Sequence, residues 1–256
     1  MAFQPIVDTL ANRVHAYEAL VRGTANESAT QILAQLTEEN RYAFDQRCRV
    51  RAIELAVQHG LQHTGAKLSI NFMPGAVYSP AACIRSTLET ARRLHFPLDR
   101  LIFEITEAER VKDRKHLLDI TEEYRKHGFQ MALDDFGSGF SGLNLLADIK
   151  PDIVKFDMDL IRAIDTRPTA FTIVQKITEL CQSLGIEVVG EGVETYEEFA
   201  SLSACGIHLM QGYLFAKPAF EALPGFVLPL PGASPVDAIP DPAFLTRMSC
   251  QDARHS

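Results

Sequence analysis

The sequence has no run of about 18 consecutive apolar residues, which excludes a membrane-spanning helix and gives no reason to expect a membrane partner. Its first residues, MAFQPIVDTL, lack the basic and long apolar segments of a secretory signal. The five cysteines (Cys48, Cys83, Cys181, Cys205 and Cys250) are odd in number and nowhere spaced CxxC. That speaks against a disulfide framework or a structural zinc site and fits a reducing cytoplasm. Positive charge is also scarce: the formal net charge is −8, which disfavours a nucleic-acid polymer as partner. A small anionic substrate stays open, provided bound cations reverse the local field.

What is present is enough for one large α/β domain: 256 residues, 46% of them hydrophobic and 23% charged. Phe3–Val7 and Val14–Leu20 read as two strands. Their link is too short to cross a sheet, so they form an antiparallel hairpin. Ser28 to Gly60 carries helical spacing with Gly60 as its stop. Strands are then expected at Lys67–Phe72, Leu101–Thr106, Gln130–Asp135, Asp152–Asp157, Glu187–Val193 and His208–Phe215. Helices are expected around Pro80–His95, Lys112–His127, Thr169–Leu184 and Tyr196–Ala204, and a short one over Leu143–Asp148.

Eight strands alternating with helices predict a modified (β/α)8 TIM-like barrel in which the hairpin makes one strand antiparallel. Residues 1–223 are assigned to the barrel. Six of the thirteen prolines fall from Pro224 to Pro242, so residues 224–256 read as a Pro-rich irregular tail. Because the sequence opens at a barrel strand, no sensory domain is expected within it; such a domain, or a protein acting in trans, is left as a partner.

The stretch QMALDDFGSGFSG, residues 130–142, sets Asp134 and Asp135 at the end of a buried strand with Gly137, Gly139 and Gly142 behind them. Two adjacent carboxylates repel unless a cation or a shared proton compensates, so the pair is either a metal site or an acid/base dyad. The other strands add polar residues at equivalent places: Glu18, Asn71, Glu104, Lys155, Glu191 and Gln211. In a parallel barrel the C-terminal strand ends share one face, so these groups converge there. Glu18, Asn71, Glu104, Asp134 and Asp135 are all oxygen donors, with no His or Cys among them. Such a set suits Mg2+ or Mn2+, and so many carboxylates suit two ions sharing Asp134. Lys155 is then placed to orient a hydroxide or neutralise a phosphate, and Glu191 to position or deprotonate the water.

Three motif matches mislead. Gly137 to Gly142 fits GxGxxG, with Asp157 as a ribose partner, but the two aspartates before it would repel a pyrophosphate. Asp135-Phe136-Gly137 matches the kinase DFG without the companion motifs. The basic cluster Arg41, Arg47, Arg49 and Arg51 reads as a solvated helix face.

Taken together, Gln4-Pro5-Ile6-Val7, Tyr17-Glu18-Ala19-Leu20-Val21-Arg22, Glu104-Ile105-Thr106-Glu107, Asp134-Asp135-Phe136-Gly137, Lys155-Phe156-Asp157, Glu191-Gly192-Val193-Glu194 and Gln211-Gly212-Tyr213 resemble the EAL domain family of bacterial cyclic di-GMP phosphodiesterases. The resemblance runs from about Phe3 to Phe220. It implies hydrolysis of cyclic di-GMP to linear pGpG with two Mg2+ or Mn2+ ions. Glu18, Asn71, Glu104, Asp134 and Asp135 would be ligands, Glu18 also counting among the catalytic residues. Lys155 would contact the water, and Glu191 and Gln211 would support water and metal. By the same resemblance Gln4, Leu20, Arg22 and Gln211 contact substrate, Arg22 at a phosphate. Glu107 anchors the glycine loop near a dimer interface, so a homodimer is expected. The sequence departs from the pattern at Phe72-Met73-Pro74, where many members have a Leu-Ser-Pro-like run, and at Gly142, where serine is common; the latter loosens the loop. An inactive cyclic di-GMP receptor or protein-interaction regulator of the same fold is the alternative.

Overall fold

Asp8 sets the first turn. Its Oδ1 accepts the N–H groups of Leu10 and Ala11 at 3.2 and 3.0 Å, folding β1 (Ala2–Asp8) back onto β2 (Arg13–Leu20) as an antiparallel hairpin. The computed structural model describes residues 1–106, 114–139 and 142–231. After the hairpin come α1 (Ala29–Leu33), α2 (Glu38–Gln58), β3 (Lys67–Asn71), α3 (Pro80–Cys83), α4 (Arg85–Arg93), β4 (Leu101–Thr106) and α5 (Arg114–Lys126). Then follow β5 (Gln130–Phe136), α6 (Gly142–Ile149), β6 (Ile153–Phe156), α7 (Met158–Ile161), α8 (Pro168–Ser183), β7 (Glu187–Gly190), α9 (Tyr196–Ala204), β8 (Leu209–Met210) and β9 (Ala219–Phe220). Strands β2 to β8 pair in sequence order and in parallel. β1 joins β8 to β2, antiparallel to both, and so closes an eight-stranded barrel with β9 outside it on β1.

The period of two along each strand explains the interior. One lumen layer is apolar: Ile6, Ala16, Ile102, Ala132, Ile153, Val189 and Leu209. Two residues further toward the C-terminal strand ends, the same chain segments present Glu18, Glu104, Asp134, Lys155, Glu191 and Gln211. Antiparallel β1 brings Gln4, two residues before Ile6, to the same level, opposite Glu18. The barrel is therefore plugged by hydrocarbon below and charged above. The intervening residues, such as Leu68, Phe103, Leu133 and Val154, face outward into the main core beneath the helices.

Several sequence expectations need correction. The run Ser28–Gly60 is two helices. The Thr37 N–H donates to Asn40 Oδ1 at 2.8 Å, Glu38 and Glu39 occupy the first turn of α2, and Gly60 ends the segment with φ 83°. Pro80–His95 is also two helices, α3 and α4. The strand expected over His208–Phe215 pairs only at Leu209–Met210. There the chain turns so tightly that a Cβ on Gly212 would lie 2.0 Å from the Val193 carbonyl oxygen. The arginine cluster is not one solvated face: Arg47 and Arg51 are exposed, Arg41 is half-buried, and Arg49 is completely buried.

The start of the Pro-rich segment lies on the barrel. Tyr17 donates its hydroxyl to the Pro224 carbonyl at 2.9 Å, and Phe226 and Leu228 pack against the core. No helix among the described residues is long and apolar enough to cross a membrane.

A carboxylate cluster at the C-terminal strand ends

Lys155, in the middle of β6, is 1% exposed and sits among four carboxylates. Its Nζ lies 2.7 Å from Glu191, 2.8 Å from Asp134, 2.9 Å from Glu104 and 3.7 Å from Glu18. Adjacent strands supply these groups in register, Asn71 opposite Glu104 and Thr106 opposite Asp134.

Asp134 and Asp135 turn to one site because the chain breaks its alternation between them. Asp135 has φ 53°, and the β5–β6 pairing shifts register between Leu133 and Phe136. A left-handed backbone is costly for a side chain larger than glycine's, and aspartate is among the residues that tolerate it.

Amides hold the edges of the cluster. Asn71 Nδ2 donates to Glu18 Oε1 at 2.8 Å, and Gln211 Nε2 donates to Glu18 Oε2 at 2.9 Å and to Gln4 Oε1 at 3.3 Å. Gln4 in turn donates to the Ala216 carbonyl at 3.2 Å. Ser69, fully buried on β3, donates its hydroxyl to Glu104 Oε1 at 2.5 Å while Lys155 holds the other oxygen. Ser69 escaped the sequence reading, although it lies two residues before Asn71, on the same face of β3.

The electrostatics are unbalanced. Glu18, Glu104, Asp134, Asp135 and Glu191 make five carboxylates against one ammonium. Burial pushes Glu104 up to about 8, with Lys155 opposing and the neighbouring Glu18 and Asp134 adding to the rise. Burial and the adjacent Asp134 push Asp135 up to about 6. Burial also drives Glu191 well above the usual carboxylate range. Burial would raise Glu18 too, but Lys155 and the hydrogen bonds from Gln211 and Asn71 outweigh it and hold Glu18 down. Burial would lower Lys155, and the surrounding carboxylates overcome that, keeping it charged. One ammonium cannot hold this many buried acids ionised, so the set calls for further positive charge.

In each of two triads the ligand atoms lie within 4.8 Å of one another: Glu18, Glu104 and Asp134, and Asp134, Asp135 and Glu191. Both contain Asp134. All five residues offer oxygen, which fits hard divalent cations.

A cleft of about 400 Å³ opens beside the cluster, walled by Gln4, Glu18, Asp135, Glu191 and Gln211. Asp157, Met158, Gly192, Glu194, Gly212 and Tyr213 complete it, and none of these was assigned to the site from sequence. Asp157, the last residue of the Lys155-Phe156-Asp157 motif, accepts the Asp159 N–H at 2.8 Å on its carboxylate and caps α7. Leu20 lies elsewhere, in the wall of a mainly apolar cavity of about 430 Å³ that also touches Asn71 and Thr106. Arg22 lines neither; its guanidinium donates to the Val21 carbonyl at 2.7 Å. Glu107 lies outside the described residues.

The family model described as EAL domain matches residues 1–218. A standalone versatile EAL protein from Vibrio cholerae O395, solved in its c-di-GMP bound form, superposes with a TM-score of 0.85 at 53% identity, covering 89% of this chain and 94% of that one. The blue light- and temperature-regulated antirepressor BluF of Escherichia coli K12 is 30% identical over 89% of this chain and 56% of its own length. The cyclic di-GMP phosphodiesterase PA2567 of Pseudomonas aeruginosa is 29% identical over 85% of this chain and 38% of its own. The chain thus spans about half or less of these two curated relatives.

Proposed function

The chain belongs to the EAL domain family, and on that premise we propose that it hydrolyses cyclic di-GMP to linear pGpG with two divalent ions, Mg2+ or Mn2+. The observation that carries the proposal is the pair of acidic triads sharing Asp134 around a buried lysine. Glu18, Asn71, Glu104, Asp134 and Asp135 would hold the ions. When bound, such ions acidify a water and stabilise the charge that develops on the phosphate oxygens.

The chain's own groups do the rest. Glu191 accepts the proton of the attacking water, and Lys155 Nζ donates a hydrogen bond that aims the oxygen at phosphorus. Attack breaks the P–O3′ bond; O3′ takes a proton from bulk water as Glu191 returns its own to solvent, giving a linear dinucleotide with a 5′-phosphate. Ser69 keeps Glu104 turned inward, and Gln211 and Asn71 do the same for Glu18. Gln4 and Gln211 meet one part of the substrate in the cleft, and Leu20 offers an apolar wall on the other side of Glu18. Arg22 reaches a phosphate once it leaves the Val21 carbonyl. The test is incubation of purified protein with cyclic di-GMP and either ion, followed by chromatography. Formation of pGpG supports the proposal; binding without product supports the second reading, a non-hydrolysing regulator, which the name of the antirepressor relative favours.

A homodimer is part of the proposal, with α8 as its interface in place of the glycine-loop side that the resemblance implies. On α8 and its C-cap, Ile173, Leu180 and Leu184 are 44%, 42% and 58% exposed, with the half-buried Ile177 between them. The four–three–four spacing reads the same in both directions, so an antiparallel second copy of the helix meets it apolar to apolar. Leu180→Glu is expected to convert the dimer to a monomer in sedimentation; an unchanged dimer would move the interface elsewhere.

A further inference from the structure

Arg49 heads the large side chains that are fully buried among the described residues, and nothing in the proposed chemistry uses it. Its Nη2 lies 2.6 Å from Asp45 Oδ2, one helical turn earlier on α2, and its Nη1 donates to the Tyr124 hydroxyl of α5. The guanidinium carbon stands 5.1, 5.4 and 5.7 Å from the ring centres of Phe72, Phe103 and Tyr124. Arg49 Nε has no hydrogen-bond partner among the described residues, so Asp45, Tyr124 and the ring faces carry the compensation for burying this charge. Burial pushes the Asp45 carboxyl up, and Arg49 pulls it the other way.

The location of the pair matters more than its strength. Phe72 directly follows Asn71, and Phe103 directly precedes Glu104. On a strand, the neighbours of an inward ligand face outward, so Arg49 grips β3 and β4 from outside at the level of two ligands. These two residues pair across the strands, and the Phe72 N–H donates to the Glu104 carbonyl at 3.2 Å. Asp45 completes the grip: its second carboxylate oxygen, Oδ1, accepts the Met73 N–H at 3.0 Å, two residues past Asn71. β3 ends at Asn71, so this bond holds the backbone where the sheet no longer does.

We propose that Asp45 and Arg49 are positioning residues for the ion site, holding Asn71 and Glu104 in ligating alignment through Met73, Phe72 and Phe103. The proposal rests on the ion-binding reading given above. Groups behind the direct ligands tune affinity by about 10- to 100-fold when lost.

The test is Mn2+ titration of folded protein, read as a dissociation constant without substrate, beside a thermal melt. Asp45→Asn and Asp45→Val both remove the charge facing Arg49, but only the asparagine keeps an acceptor for the Met73 N–H. The expected result is Mn2+ affinity within about threefold of the parent for Asp45→Asn and a loss of about tenfold for Asp45→Val. The double variant Asp45→Val, Arg49→Met removes the buried charge pair altogether and is expected to melt near the parent while keeping the weakened affinity. It decides the matter if Asp45→Val alone does not fold. Equal losses in Asp45→Asn and Asp45→Val, or parent-like affinity in the double variant, would overturn the proposal. Failure of the parent itself to bind Mn2+ would instead overturn the ion-site reading.

Discussion

Asp134→Ala is expected to abolish turnover, with a loss of at least about 10³-fold in kcat/KM, because it removes the one carboxylate common to both triads. Losing a ligand to a divalent ion at a developing charge forfeits several kcal/mol of transition-state stabilisation, and each 1.36 kcal/mol is about a factor of ten. Glu18→Ala is expected to match it, since Glu18 is a member of one triad and also the acceptor that Asn71 and Gln211 both hold. Asp135→Asn touches only the second triad and should be milder. Steady-state kinetics under saturating Mn2+ checks the ranking. Substantial activity in Asp134→Ala or Glu18→Ala contradicts the ligand assignment.

Lys155→Met carries the second large effect and separates chemistry from binding. Its ammonium lies at the centre of the cluster, within 2.9 Å of Asp134, Glu104 and Glu191, and does not line the cleft. Turnover is therefore expected to fall by about 10²- to 10⁴-fold, while cyclic di-GMP affinity stays within about threefold. The same substitution leaves five carboxylates facing one another without a cation. In EDTA the variant is expected to melt below the parent, and added Mg2+ or Mn2+ should recover most of the difference. Equal losses of turnover and affinity would make Lys155 a substrate anchor.

The site was legible in the sequence because the barrel converts a one-dimensional pattern into a ring. Six chain segments carry an apolar lumen residue and, two positions on, a polar one; Ile102 before Glu104, Ile153 before Lys155 and Val189 before Glu191 are the visible form of two lumen layers. The hairpin and the strand count followed from link lengths for the same reason. What stayed hidden depends on contacts between elements. Arg47, Arg49 and Arg51 were read as one face, yet residues two apart on a helix lie about 200° apart around its axis, so Arg49 points inward where its neighbours point out. The strand expected to reach Phe215 stops at Met210 because the Gln211–Leu214 turn folds onto Val193, whose N–H donates to the Gln211 carbonyl at 3.1 Å and whose carbonyl accepts the Leu214 N–H at 3.0 Å. β9 is two residues long and exists only through its pairing with Ala2 and Phe3, so no periodicity announces it. Ser69 gains its role only from the neighbouring strand, where Glu104 Oε1 accepts its hydroxyl.

Water attack on phosphorus with departure of O3′ is the central claim, and hydrolysis in ¹⁸O-labelled water tests it most directly. Purified protein is incubated with cyclic di-GMP and Mn2+ in labelled water, and the product is weighed by mass spectrometry. The account predicts linear pGpG carrying one ¹⁸O on its 5′-phosphate, with none formed by Asp134→Ala. Intact, unlabelled cyclic di-GMP recovered from protein that binds both the nucleotide and Mn2+ would contradict it.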